Sequence, residues 1–190
     1  MEEQFHRFIS NFLELHDEEF QAIMKQVVPR DILKKEHLVE ASHVCRELVF
    51  FVEGYFRFYH YTSDGTEVTS DFYFAPNLVT SYTSLVTGLP SQVYVQAMED
   101  MQLFVIRKDG LLDLYNRYHR IDRLGRLVAE HVAITSEKHL FNLLNQSAAE
   151  RYRYLLDRYP QYIRRIPLQY IASYLGIKKE TLSRVRKKIR

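Results

Sequence analysis

The residues whose types and spacing could do chemistry are concentrated in the last part of the chain, from about Lys178 to Arg190. Apolar residues recur there at helical spacing, at Leu182, Val185 and Ile189. The opposite face carries Glu180, Ser183, Arg184 and Lys187, with Lys179 at its start. Cationic side chains and the N–H groups of a helix N-terminus both bind anionic oxygen atoms, so this face is suited to a polyanion.

The net charge of +2 hides an asymmetry along the chain. Residues 150–190 hold 12 Lys and Arg against three acidic residues, whereas residues 1–149 hold 14 Lys and Arg against 21 acidic residues. Nucleic acid and an anionic membrane surface are the candidate partners of such a basic block. A solvated basic helix face without any partner would have the same composition.

A second short helix must hold this basic helix in place. Pro167 can begin it and Gly176 can end it, and its apolar face would be Leu168, Ile171, Ala172 and Leu175. Ala172 is small enough for two helices to approach closely, and Gly176 lets the backbone turn between them. Two short helices joined by a glycine-containing turn, the second one basic, are typical of a DNA-binding helix-turn-helix.

The rest of the chain predicts an α+β architecture with an N-terminal antiparallel β-roll of jelly-roll type. Helical spacing runs from Phe5 to about Pro29, where the proline is expected to end a helix. From about Arg30 to Lys108, short runs rich in Val, Phe, Tyr and Thr predict strands. Within that region, Asp64-Gly65 is a strong hairpin signal.

A long helix is predicted next, with a heptad seam that favours pairing with a second copy of the chain. The seam residues are Leu124, Leu127, His131, Ile134, Lys138, Phe141 and Asn145. The alternative is a helix that packs on its own barrel. Residues 1–109 would then be the β-roll with its N-terminal helices, 110–146 the dimerisation helix, and 147–190 the helix-turn-helix domain, which opens on a capping box at Ser147–Glu150.

The segment Ile166–Arg186 resembles the helix-turn-helix of CRP/FNR-type transcription regulators. Its stretch Lys179-Glu180-Thr181-Leu182-Ser183-Arg184 is similar to the recognition-helix pattern of that family. The order of a helical start, a β-roll with Phe51-Val52-Glu53-Gly54 and Asp64-Gly65, a long helix and a helix-turn-helix extends the resemblance over nearly the whole chain. The resemblance implies a homodimeric, cytoplasmic regulator, not an enzyme, that reads a pseudo-palindromic site in double-stranded DNA and contacts RNA polymerase.

At the matching positions, the resemblance implies that Lys179, Glu180 and Arg184 read base edges in the major groove. Arg184 can bind guanine through two hydrogen bonds, and Glu180 can accept one from the cytosine amino group. Phosphate contacts would come from Lys178, Thr181, Ser183, Arg186, Lys187 and Lys188. Alternatively, Glu180 only pairs with Arg184, four residues on. A β-hairpin wing, as in many relatives, would have to come from Pro160–Ile166.

The β-roll departs from the pattern of its cyclic-nucleotide-binding relatives. Tyr82 and Ser91 stand where the relatives have the Glu and Arg that hold the ribose and cyclic phosphate. A buried phosphate without a cation is poorly compensated, so the sequence argues against the usual mode of cyclic AMP binding. A neutral or weakly polar ligand could instead meet Phe72, Phe74, Ser81, Tyr82, Thr83, Ser84, Ser91 and Tyr94. Alternatively, these aromatic rings simply fill the barrel.

Other classes of function find little support in the residues. The single cysteine, Cys45, excludes an internal disulfide, and the eight histidines form no metal-binding motif, so no metal or other cofactor is expected. No apolar run is long enough to span a membrane, and the acidic start is unlike a signal peptide. Two rival hypotheses are a β-roll module that regulates a partner protein and a cupin-like enzyme that needs a metal.

Overall fold

The computed structural model groups the chain into two compact units. It describes residues 1–189, and for residues 161, 162, 188 and 189 it describes the backbone only. The first unit comprises Met1–His60 and Phe72–His131, and the second comprises Tyr61–Asp71 and Val132–Arg190. The functional division into β-roll, dimerisation helix and helix-turn-helix stays a prediction.

Two four-stranded antiparallel sheets confirm the predicted β-roll. One sheet has the order β1-β8-β3-β6 and the other β2-β7-β4-β5. The strands are β1 (Val27–Ile32), β2 (His37–Val39), β3 (Glu47–Phe51), β4 (Tyr55–Tyr61), β5 (Glu67–Phe74), β6 (Asn77–Val79), β7 (Tyr94–Ala97) and β8 (Met101–Arg107).

The interior of the roll is filled by alternate residues of these strands, as the two-residue period of a strand requires. The buried residues are Val49 and Phe51 of β3, Phe56 and Phe58 of β4, Val95 and Ala97 of β7, and Leu103 and Val105 of β8. The ring of Phe51 meets that of Phe56 edge to face at 5.0 Å, and Phe58 lies 4.7 Å from Tyr73. The core is therefore closely packed with aromatic and aliphatic side chains.

The predicted hairpin turn at Asp64-Gly65 is confirmed between β4 and β5. Gly65 has φ of +81°, a left-handed conformation that glycine adopts without strain. Its N–H donates to the Thr62 carbonyl at 2.9 Å, and the Thr62 N–H donates to the Thr66 carbonyl at 3.0 Å. The tip of this hairpin, Tyr61–Asp71, belongs to the second unit.

Nine residues from helices and strands form a second buried cluster in the first unit: Phe5, Ile9, Phe20, Ile23, Phe50, Ile106, Leu114, Ile121 and Leu124. The helices of this unit are α1 (Glu2–Ser10), α2 (Asp17–Met24), α3 (Tyr82–Thr87), α4 (Lys108–Arg117) and the start of α5 (His119–Asn145). The expectation that a helix ends at Pro29 is wrong, because α2 ends at Met24 and Pro29 lies in β1. As an edge strand, β1 tolerates a proline, which cannot donate a backbone hydrogen bond.

In the second unit, α5 is followed by α6 (Ala148–Arg158), α7 (Pro160–Ile163), α8 (Leu168–Tyr174) and α9 (Lys179–Ile189). The predicted capping box opens α6, because Ser147 Oγ accepts from the Glu150 N–H at 3.3 Å and the Glu150 carboxylate accepts from the Ser147 N–H at 2.8 Å. The Ser147 hydroxyl, which donates to the Glu150 carboxylate at 2.7 Å, and the Ser147 N–H both stabilise the charged form and lower the pKa of Glu150. The short helix α7 occupies the segment considered for a wing, and residues 147–189 contain no strand.

Candidate nucleic-acid interface

A buried apolar joint holds α9 against α8. Leu175 and Leu182 have no exposed surface, and Ile171 and Ala172 are each 2% exposed. Between the helices, Gly176 has φ of +66°, and a Cβ built on it would meet no atom within 4 Å. The backbone conformation, rather than a lack of space, therefore favours glycine at this turn.

The opposite face of α9 is open to solvent along the predicted site. Seven of the predicted contact residues are exposed: Lys178, Lys179, Glu180, Ser183, Arg184, Arg186 and Lys187. Thr181 is partly buried, and the side chain of Lys188 lies outside the described residues. Because Leu182 points into the joint, the helical period directs its neighbours 180 and 184 outward. The structure thus brings Lys179, Glu180 and Arg184 together on one exposed surface.

The alternative ion pair between Glu180 and Arg184 is not formed in the part of the chain that the structure describes. Glu180 is also the only acidic residue between Lys178 and Arg190 in the sequence. An exposed helix face with one carboxylate among several cations attracts a polyanion and still carries one group able to accept a hydrogen bond from a base.

The predicted dimer seam divides into two parts along α5. Leu124 is buried in the core of the first unit, and Leu127 is partly buried. The remaining seam residues are exposed, namely His131, Ile134, Lys138, Phe141 and Asn145. Ile134 and Phe141 are 52% and 64% exposed, which is unusual for large apolar side chains on a folded domain.

Three further exposed leucines on this part of α5 were missed by the heptad pattern, among them Leu140 and Leu144. Leu140 is 55% exposed and Leu144 is 74% exposed. Both lie within one helical turn of Phe141, so they widen the apolar face of the helix. Their signal in the sequence was the cluster of four apolar residues between 140 and 144, of which the predicted seam included only Phe141.

The aromatic residues of the predicted ligand pocket that lie on strands make ring contacts with tyrosines of β4. The rings of Phe72 and Phe74 lie 6.3 and 5.7 Å from that of Tyr55, and the ring of Tyr94 stacks on that of Tyr59 at 4.9 Å. Strand alternation places these rings on the opposite side of the sheet from the interior residues Phe56, Phe58 and Val95.

Three serines of the predicted pocket have hydrogen-bond partners in the structure. Ser81 Oγ and Ser91 Oγ are 2.9 Å apart, and both serines are buried. Ser84 Oγ accepts from the Cys45 N–H at 2.9 Å and donates to the Leu89 carbonyl at 2.5 Å. In contrast, Tyr82 and Thr83 are exposed on α3. The serine hydroxyl groups thus join α3 and the residue before it to the neighbouring loops.

No helix in the described part of the chain combines the length and hydropathy of a membrane span. Among the same residues, no group of three or more His, Cys, Asp or Glu side chains is placed to hold a metal ion.

Residues 29–118 match the family model of the cyclic nucleotide-binding domain. No curated protein matches the chain by sequence. Among solved structures, the chain is similar to FixK2 from Bradyrhizobium japonicum, with a TM-score of 0.70 and 20% identity over 86% of this chain and 84% of that chain.

Two further solved structures have the same fold. The c-di-GMP-responsive global regulator CLP from Xanthomonas campestris has a TM-score of 0.69 and 15% identity over 92% of this chain and 91% of that chain. The catabolite activator protein of Thermus thermophilus has a TM-score of 0.60 and 19% identity over 94% of this chain and 85% of that chain. At these identities the likeness establishes the arrangement of antiparallel sheets followed by helices.

Proposed function

From a chain that carries a cyclic nucleotide-binding domain and has the fold of CRP/FNR-family transcription regulators, we propose a homodimeric regulator that reads DNA with α9. The observation that carries the proposal is the exposed face of α9, which is held in place from behind by the fully buried Leu182. A helix anchored on one side and basic on the other can enter the major groove as a rigid body.

Within that groove, Lys179, Glu180 and Arg184 make the base contacts. The guanidinium of Arg184 pairs with guanine, and the carboxylate of Glu180 accepts from cytosine. Phosphate contacts come from the surrounding residues Lys178, Thr181, Ser183, Arg186, Lys187 and Lys188. The described part of residues 147–189 contains no strand that could serve as a wing.

The exposed apolar half of α5 pairs with the same half of a second copy. Ile134, Leu140, Phe141 and Leu144 together form a face that a monomer would leave in water. A parallel pair of α5 helices presents two recognition helices to half-sites about one helical turn apart, roughly 34–36 Å. RNA polymerase is the proposed partner of the DNA-bound dimer, on the strength of the family resemblance alone.

The experiment is a selection of bound duplexes from a random pool with the full chain, followed by affinity measurements at one fixed salt concentration. The wild type should prefer the selected duplex to a scrambled one. Arg184→Ala should weaken specific binding by about 1–3 kcal/mol and relax the preference at one base position. Arg7→Ala, which removes an exposed arginine of α1, is the charge-matched control and should leave binding unchanged.

Equal affinity of the wild type for all duplexes would reject the proposal and favour the rival β-roll module that regulates a partner protein. An Arg184→Ala variant with unchanged affinity and base preference would reject the assignment of Arg184 while leaving DNA binding in place.

A further inference from the structure

The last turn of α8 is tied to other elements of the second unit by polar contacts. The N–H of Thr69, in the hairpin tip, donates to Ser173 Oγ at 2.8 Å. The next residue, Tyr174, is hydrogen-bonded through its hydroxyl to Nδ1 of His139 on α5 at 3.0 Å, and their ring centroids are 5.2 Å apart. Two consecutive residues of α8 therefore meet two different elements.

A third contact involves the residue that follows these two. The guanidinium of Arg151, on α6, donates to the Leu175 carbonyl at 2.5 Å. The same group donates to the carbonyls of Gln146 at 2.5 Å and Leu143 at 3.3 Å. Carbonyls at a helix C-terminus have no partner within the helix, so one side chain here joins the ends of α5 and α8. We call Ser173–Leu175 with these three contacts the α8 junction.

Burial and charge support the hairpin contact. Thr69 is 2% exposed, so water could not readily replace the Ser173 hydroxyl as the acceptor of its N–H. Removing that hydroxyl should therefore be destabilising. Burial raises the pKa of Tyr174, and Asp71 of the hairpin raises it further, so the phenol stays protonated. The hairpin tip also carries three acidic residues and no Lys or Arg, whereas residues 150–190 are basic overall.

We propose that the α8 junction is a positioning device through which the hairpin tip Tyr61–Asp71 sets the orientation of α9 for binding two half-sites. The junction lies directly before Gly176, and α9 packs on α8 through Leu182, so both helices must move together. A dimer that reads two half-sites needs both recognition helices at one fixed spacing. The inference rests on the proposed function, since it concerns the same interface.

Substitutions at Ser173 and Tyr174 test this role. Ser173→Ala removes the acceptor of the Thr69 N–H, Ser173→Thr keeps a hydroxyl as the rescue variant, and Tyr174→Phe removes the bond to His139. Dissociation constants are measured for a palindromic duplex selected with the wild type and for a duplex with one half-site. Ser173→Ala and Tyr174→Phe should bind the full site about three- to tenfold more weakly, with half-site binding unchanged and Ser173→Thr near wild type.

Equal losses on both duplexes would mean local damage to the helix-turn-helix and would overturn the proposal. Unchanged or tighter binding of Ser173→Ala to the full site would also overturn it.

A second measurement needs no DNA and separates this proposal from the proposed function. Amide hydrogen exchange of Thr69 should be about tenfold faster in Ser173→Ala than in the wild type and Ser173→Thr. Unchanged exchange would contradict the junction itself. A wild type without sequence preference, combined with faster exchange in Ser173→Ala, would refute DNA reading while the physical link between hairpin and α8 stands.

Discussion

The β-roll and the helix-turn-helix place their polar side chains in opposite ways. In the roll, the hydroxyl groups around α3 bond to one another and to the backbone, as Ser81 does with Ser91 and Ser84 with Cys45 and Leu89. In the helix-turn-helix, Lys179 and Arg184 face solvent. Groups that are satisfied internally stabilise a scaffold, whereas groups left in water are available to a partner. The difference supports the proposal that α9 is the recognition helix.

The largest expected effect is at the joint of the helix-turn-helix. Leu182→Ala removes a fully buried side chain and should destabilise α8 and α9 by about 2–5 kcal/mol. Amide exchange should show faster opening of α8 and α9, with the strands of the roll unchanged. Leu89→Ala, at a leucine 63% exposed in the roll, is the control and should change stability by less than about 0.5 kcal/mol. If amide exchange in Leu182→Ala becomes faster in the strands of the roll by as much as in α8 and α9, the two regions do not open independently.

The next effect concerns the apolar face of α5. Phe141→Gln replaces a phenyl ring that is 64% exposed and should raise the dimer dissociation constant by about tenfold or more, because an apolar ring contributes about 1.5–3 kcal/mol when buried. Sedimentation equilibrium measures the change. Ser136→Gln, at an exposed polar position of α5 outside the predicted seam, should leave the dimer intact. If Phe141→Gln dimerises like the wild type, the pairing surface lies elsewhere.

Two glycines with left-handed backbone conformations test the comparison between the roll and the helix-turn-helix. Gly176 and Gly88, the glycine that ends α3 in the roll, both have positive φ, +66° and +73°, and a Cβ on either would meet no atom within 4 Å. Alanine at each position should therefore cost a similar amount of stability, about 1–2 kcal/mol. Only Gly176→Ala should also weaken DNA binding, because it alone lies in the turn between α8 and α9. Equal DNA affinity of the two variants would argue that this turn does not position α9.

The smallest expected effect is on the roll. Titration of the protein with cyclic AMP should give no heat and no shift of the melting temperature. The family resemblance places Ser91 near where relatives have an arginine, and the Ser91 hydroxyl is already bonded to Ser81. Micromolar binding would show that the roll holds the nucleotide by other groups and would contradict its description as a scaffold.

Much of the fold could be predicted because its signals are local. The capping box at Ser147, the turn at Gly65 and the glycine that ends α8 each act within a few residues, and the structure has all three. The helix-turn-helix was predicted for the same reason, since its apolar stripe and basic face are properties of single helices.

The remainder depends on contacts between distant residues. Which side of the sheet receives Phe72 or Tyr73 is decided by strand register, so the sequence alone did not show that Phe72 lies on the side opposite the interior of the roll. The place of Pro29 in a strand depends on β1 being at a sheet edge. The contact between Thr69 and Ser173 joins residues 104 positions apart and has no local signal.

The most direct test of the account is a structure of the dimer bound to its selected duplex. The account predicts that α9 lies in the major groove, that the Arg184 guanidinium is within hydrogen-bonding distance of a base edge, and that the two recognition helices are about one helical turn apart. A complex in which DNA lies on another surface, or in which Arg184 contacts no base, would contradict it.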